Sequence, residues 1–331
     1  VSTDNTSPST GSGISAGSGI STGAELSPPA FDPGRTGRVF AAAKAEGRGA
    51  LVGYLPVGYP SVPGSLAAMR TLCGVGPTGQ REHDGVDLVE IGMPYSDPVM
   101  DGATIQRAST RALQRGVRVA DVFRAVETVA DTGTAAVVMI YWNLVEHYGP
   151  DAFARDLAAA GGAGLITPDL TPDEADAWFA ASDAHGLDRI FLVAPSSSDD
   201  RLTRTVDSCR GWVYATAVMG VTGARQQVSS AAPTLVQRIR AARPDALAGV
   251  GLGISNGVQA AEVGGYADAA IVGSALVGAL LAADEAGTPD DLSGLQSVVI
   301  DLAAGVRATR PAADRVATDS GTSQPAMRLS H

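Results

Sequence analysis

The sequence predicts an α/β protein of the (β/α)8 or TIM-barrel type, with an extra helix ahead of the first strand. Three observations carry that expectation. Eight short runs rich in Val, Ile and Leu recur along the chain with no polar alternation, the pattern of parallel strands covered on both faces. Ala-rich amphipathic segments follow most of them, as the crossovers of βα units must. No GxGxxG opens the first unit, so the competing doubly wound open sheet lacks its usual phosphate-binding turn.

The elements follow in order. Residues 1–33 are rich in Ser, Gly and Thr and carry almost no large apolar side chains. Such a segment cannot bury enough surface to offset its ordering entropy and is expected to be disordered. One barrel domain is expected over 34–310, opening with the helix GRVFAAAKAEG that Gly47 closes. Strands are predicted at 50–55, 86–92, 135–141, 164–167, 189–195, 211–216, 248–253 and 269–273. The intervening helices include TIQRASTRALQRG, DVFRAVETVAD, DAFARDLAAAG, APTLVQRIRAAR and SALVGALLAADEAG. Two stretches exceed a minimal unit. Residues 74–84, GVGPTGQREHD, read as an inserted surface loop, and 219–230, MGVTGARQQVSS, as a lid or binding loop after the sixth strand. The tail 311–331 has little apolar content and is expected to fray.

Composition narrows the function. With 331 residues, 45% hydrophobic, the chain can build a sizeable core. A net charge of -11 repels a phosphate backbone, which excludes nucleic acid as a partner. A small anionic substrate remains open, because backbone dipoles act locally. Cys73 and Cys209 lie apart in apolar segments and read as reduced, buried thiols. The four histidines are scattered, so no metal spacing is present. The most apolar run, Ala269 to Ala283, is too short and glycine-broken for a membrane span. No basic start followed by an apolar stretch marks a secretory leader. The expected compartment is the cytoplasm.

In such a barrel the functional groups project from the C-terminal ends of the strands. Glu90 closes the second strand and opens EIGMPYSDPVMDGATIQ, a loop that also carries Asp97 and Asp101. A carboxyl partly desolvated there has a raised pKa and can exchange a proton near neutrality. The alternatives are an ion pair for Glu90, and a magnesium site built from Glu90, Asp97 and Asp101. One of the two aspartates could equally cap the helix starting at Thr104. Gly220 and Gly223, flanking Val221 and Thr222, could leave backbone N–H groups free for an anion, though glycine in a loop also serves plain turn geometry. Gly253 after the seventh strand, with Gly273 and Ser274 where the eighth runs into a helix, are the best phosphate candidates. Tyr54, Met139, Tyr141, Pro168, Tyr214 and Leu252 sit near strand ends. They suit either interior packing or a flat apolar pocket for an aromatic ring.

The stretch EIGMPYSDPVMDGATIQRAS resembles the alpha chain family of tryptophan synthase around its catalytic loop. YWNLV, TPDL, GVTGAR, GLGIS and IVGSA follow in that family's order from Arg35 to Ala283, the 74–84 insertion apart. The resemblance implies a (β/α)8 barrel that cleaves indole-3-glycerol phosphate to indole and glyceraldehyde 3-phosphate. By position it implies that Glu90 is the general acid/base and Asp101 the second catalytic carboxylate. Gly223, Gly253, Gly273 and Ser274 match phosphate-binding positions; Tyr141, Tyr214 and Leu252 match the indole pocket; Thr222 lies in the mobile loop. No metal or organic cofactor is implied for this chain. A pyridoxal-phosphate beta chain is the implied partner, in an alpha2beta2 heterotetramer. Ala103 stands where the family usually has Pro, and Leu252 where an aromatic is common.

Two other readings stay beside this one: a free-standing lyase that releases indole, and a non-catalytic barrel that binds a beta chain. A Schiff-base aldolase needs a lysine at a strand end. The chain's one lysine, Lys44, lies in the first helix.

Overall fold

A computed structural model describes residues 30–216, 231–251 and 253–308. The expectations placed on 1–29, 219–230, Leu252 and 311–331 lie outside the described residues, and the barrel belongs to the unit that begins at Phe31. Nine strand segments form: β1 (Ala50–Pro56), β2 (Leu88–Gly92), β3 (Ala135–Met139), β4 (Gly164–Ile166), β5 (Asp188–Ile190), β6 (Leu192–Val193), β7 (Val213–Thr216), β8 (Ala248–Gly251) and β9 (Ala269–Val272). All pair in parallel, in the order β5-β4-β3-β2-β1-β9-β8-β7-β6. The two ends of that order are consecutive pieces of one run, interrupted at Phe191. β5 pairs with β4 and β6 with β7, so the single run closes the barrel. The predicted fifth strand is therefore one position in two segments.

Twelve helices surround the described sheet: α1 (Thr36–Ala45), α2 (Val62–Leu72), α3 (Ala103–Gln114), α4 (Val119–Ala130), α5 (Trp142–Tyr148), α6 (Pro150–Ala159), α7 (Asp176–His185), α8 (Asp199–Ser208), α9 (Ala231–Ala242), α10 (Gly257–Gly264), α11 (Ser274–Glu285) and α12 (Ser293–Arg307). Two were not anticipated. The third strand stops at Met139, and α5 takes up the residues after Tyr141. α12 buries Leu295, Val299, Leu302, Ala303 and Val306 along one face, a helical spacing. It lies tightly on α10 because Gly305 meets the Gly257 backbone where any side chain would collide. The Asp301 carboxylate also accepts the Gly257 N–H at 2.7 Å.

Apolar side chains form two layers. The outer layer, between sheet and helices, holds Leu51, Val89, Ile91, Val138 and Phe153. The inner one fills the barrel with Val52, Leu88, Val137, Ile166, Ile190 and Ile271. α1 closes the N-terminal end of the barrel, giving Phe40 and Ala43 to that inner layer. The Phe40 ring lies 5.3 Å from Trp212, and Trp212 lies 5.4 Å from Tyr214. An aromatic column thus runs from the plug towards the mouth.

The same end is held by three carboxylates. Asp87 accepts the Leu51 N–H and both terminal nitrogens of Arg48, each at 2.8 Å. Asp268 accepts the Ala248 N–H at 2.9 Å and pairs with Lys44 at 3.2 Å. Asp188, buried at the start of β5, accepts the Thr36 N–H and hydroxyl at 2.7 Å each and the Arg35 N–H at 3.1 Å. α1 has no side-chain cap of its own, so Asp188 supplies from a strand the acceptor its first turn lacks. Asp188→Ala should lower unfolding stability by about 2–3 kcal/mol, read as a reduced urea midpoint. An unchanged midpoint would remove Asp188 from this role.

Candidate active site

With α1 closing one end, the accessible chemistry lies at the other. Leu88, Glu90 and Gly92 share the inward face of β2, and Leu88 belongs to the inner layer. Glu90 sits between Tyr54 of β1 and Val137 of β3 in the strand register. It is 1% exposed, and its Oε2 has no hydrogen-bond partner among the described residues. Among the described residues no cation pairs with it, so the ion-pair alternative does not hold there. Burial disfavours the charged form, and the Asp101 charge adds to that. Together they push Glu90 from 4.5 up to about 8.

Asp101 ends the loop that follows β2, just ahead of Gly102, the residue preceding α3. Burial raises its carboxyl to about 6. Its backbone carbonyl accepts the Gln106 amide at 2.8 Å. α3 begins at Ala103 without a side-chain cap, so neither aspartate caps it. Asp97 is exposed and accepts the Ser96 hydroxyl at 2.6 Å. No group of three potential metal ligands forms among the described residues. The magnesium arrangement is not assembled.

Two phenols face the carboxyl pair. Tyr54 is held well above its ordinary pKa by burial and then by Asp101 and Glu90. Tyr214 is raised likewise by burial, Glu90 and Asp101. Both therefore stay protonated and can donate. Glycine makes room for each: a Cβ at Gly92 would collide with the Tyr54 hydroxyl, and one at Gly251 would stand 2.7 Å from that of Tyr214. From the sequence Tyr54 is a strand-end candidate for interior packing or a ring pocket, while Gly92 and Gly251 are not singled out as site residues. Their spacing along the chain carries no sign of which cross-strand neighbour they face.

Across the mouth, α11 starts at Ser274 with Gly273 before it and no side chain capping its first turn. Those amides are available to an anion. A Cβ at Gly273 would come 3.3 Å from the Tyr54 ring, which places this helix start beside the carboxyl pair. Gly253 has φ +69°, in the left-handed region, with open space where a side chain would stand. Tyr141 and Tyr214 both reach the mouth, but the Tyr141 hydroxyl is engaged by loop amides. Thr222, Gly223 and Leu252 lie outside the described residues. A cavity of about 320 Å³ opens beside this cluster on the β4–β6–β7 side, lined by Met100, Thr167, Pro168, Leu192 and Thr216. Glu90 is not part of its wall. Sequence reasoning missed all of these but Pro168.

The family model described as tryptophan synthase alpha chain matches residues 40–301. A tryptophan synthase alpha chain of Salinispora arenicola is 59% identical over 271 residues, covering 82% of this chain and 97% of that relative. The chain belongs to the tryptophan synthase alpha chain family. Membership makes it a lyase of tryptophan biosynthesis. A family relative from Mycobacterium ulcerans is 58% identical over 273 residues, covering 82% of this chain and 95% of its own. The solved tryptophan synthase of Mycobacterium tuberculosis matches with a TM-score of 0.75 at 55% identity, covering 83% of this chain and 99% of that one. No helix among the described residues is long and apolar enough to cross a membrane.

The buried acid leaves a mark on stability. The fold binds the Glu90 proton more tightly than the unfolded chain does. The resulting penalty is absent below about 4.5, grows as pH rises towards about 8, and is constant above that. Glu90→Gln should therefore stabilise the protein at pH 9, on the order of a few kcal/mol, and much less at pH 4.5. Thermal melts at the two pH values check this; equal gains would contradict the burial argument.

Proposed function

We propose that the chain cleaves indole-3-glycerol phosphate by a retro-aldol reaction run by Glu90 and Asp101. The observation that carries the reading is the buried Glu90 carboxyl, high in pKa and facing the mouth, whose Oε2 has no partner among the described residues. Protonated Glu90 gives its proton to carbon 3 of the indole ring. Positive charge then develops on the ring nitrogen, and ionised Asp101 accepts the ring N–H and stabilises it. The bond from carbon 3 to the glycerol side chain breaks, and its electron pair returns to the ring. Glu90, now a carboxylate, takes the hydroxyl proton as the aldehyde forms. It ends as it began, protonated, and the products are indole and glyceraldehyde 3-phosphate.

The substrate phosphate is assigned to the first-turn amides of α11 at Gly273 and Ser274, with Gly253 and Gly223. The ring is assigned to Tyr214, Tyr141 and Leu252, beside the cavity, and Thr222 to the segment that closes near Asp101. This chain needs no cofactor for these proton transfers. Pyridoxal phosphate belongs to the partner beta chain, which receives indole within an alpha2beta2 assembly. The solved Mycobacterium tuberculosis tryptophan synthase, 55% identical, supports that partnership. Free, buried Cys73 and Cys209 fit a reducing cytoplasm.

Indole release from indole-3-glycerol phosphate, with and without a beta chain, tests the reaction and separates the complexed from the free-standing form. Activity needs Asp101 ionised and Glu90 protonated, so the profile should be a bell rising near about 6 and falling near about 8. A flat profile across that window would contradict the two roles. Glu90→Gln should reduce turnover by roughly 10²-fold while a substrate analogue still binds. Near-normal turnover removes Glu90 from the chemistry. Gly273→Asp should abolish binding of phosphate ligands through repulsion and crowding against Tyr54; unchanged affinity would place the phosphate elsewhere.

A further inference from the structure

Just before Asp101 the loop is poorly held by its own side chains. Val99 is 80% exposed and Met100 47%, so neither packs deeply. The backbone is fixed instead. The N–H of Val99 donates to the Tyr141 hydroxyl oxygen at 3.0 Å, and that of Met100 to the same oxygen at 3.4 Å. The Tyr141 ring stacks on Tyr95 of the same loop, with centroids 4.3 Å apart and planes 15° from parallel.

Tyr141 itself stands on firm ground. It follows β3 and precedes α5, whose first N–H, that of Trp142, donates to both oxygens of Asp169 at 2.9 and 3.1 Å. Its carbonyl accepts the Leu144 N–H at 3.1 Å. We propose that Tyr141 is a positioning residue for Asp101: its hydroxyl oxygen fixes the Val99–Met100 backbone and so sets the Asp101 carboxyl against Glu90. The resemblance alone makes Tyr141 a wall of the ring pocket; the geometry gives its oxygen a second task. Burial and the Asp101 charge both raise the Tyr141 phenol, in keeping with that closeness.

This inference rests on the catalytic pair proposed above and extends it. If the hydroxyl is removed, Asp101 is no longer held, and Glu90 loses one of the two influences that raise its pKa. A carboxyl misplaced by an ångström costs heavily in rate while leaving substrate binding nearly intact.

The test is Tyr141→Phe, which keeps the ring and its stack on Tyr95. In the full chain kcat should fall by about 10-fold, with KM within about twofold of the unmutated value. Carboxyl-carbon NMR, which needs no activity, should show the Glu90 midpoint lower by about 0.5–1 pH unit. In an Asp101→Asn background the substitution should add nothing, because the group it positions is already gone. A raised KM at unchanged kcat with an unmoved Glu90 midpoint would overturn the proposal and leave Tyr141 a pocket wall. So would losses that multiply in the double variant. Failure of the reaction itself shows in the unmutated chain, whereas failure of this inference shows only in the variants, and the titration reads it either way.

Discussion

A carboxyl group taken out of water, with no cation beside it among the described residues, is the constraint on which this architecture turns. Glu90 keeps its high proton affinity only while the barrel excludes solvent around it. That exclusion needs a closed parallel sheet, an inner layer of aliphatic side chains, and a plug at the far end. Phe40 and Ala43 of α1 provide the plug, and Phe40, Trp212 and Tyr214 carry aromatic packing from it to the mouth. The barrel floor treats its acids differently. Asp87 and Asp268 meet basic side chains, and Asp188 meets the donors of the α1 start. Those carboxylates hold elements together. Glu90, as buried as Asp188, has no such partner among the described residues, and that difference sets it apart from the structural acids.

Much of this was legible in the sequence. The strands announced themselves because both faces are buried, which leaves uninterrupted Val, Ile and Leu runs. Glu90 stood out as an acid at the end of such a run. The break at Phe191 was not legible, since RIFLVAP reads as one continuous strand. α5 was not predicted: the third strand was expected to end at Tyr141, and the seven residues Trp142–Tyr148 that follow are too few to show a helical period. α12 shows a helical spacing of apolar residues and could have been found by the same periodicity that located the others.

The site was less legible than the fold, for a physical reason. Which residues face one another across strands depends on register, and register is a property of pairing. The fit of Tyr54 against Gly92, and of Tyr214 against Gly251, follows from neighbouring strands lying in step. Nothing in either segment alone encodes it. The same holds for Tyr141, whose position near a strand end suggested pocket lining, while the direction of its hydroxyl emerged only once the loop after β2 was in place. Asp97 and Asp101 look alike in sequence. Asp97 ends up in solvent beside Ser96, and Asp101 lies where burial can act on it.

The pairing of β1 with both β2 and β9 joins residues near Ala50 to residues near Ala269. A ribosome delivers these segments more than two hundred residues apart, so a nascent chain holding β1 and β2 still lacks the neighbour that completes β1. Until β9 has emerged, the floor beneath Glu90 is incomplete and water can reach the carboxyl, which then titrates like any exposed glutamate. The acid holds its proton near neutral pH only when the ring of strands shuts. A truncated product lacking β9 would carry Glu90 without the burial that raises its proton affinity.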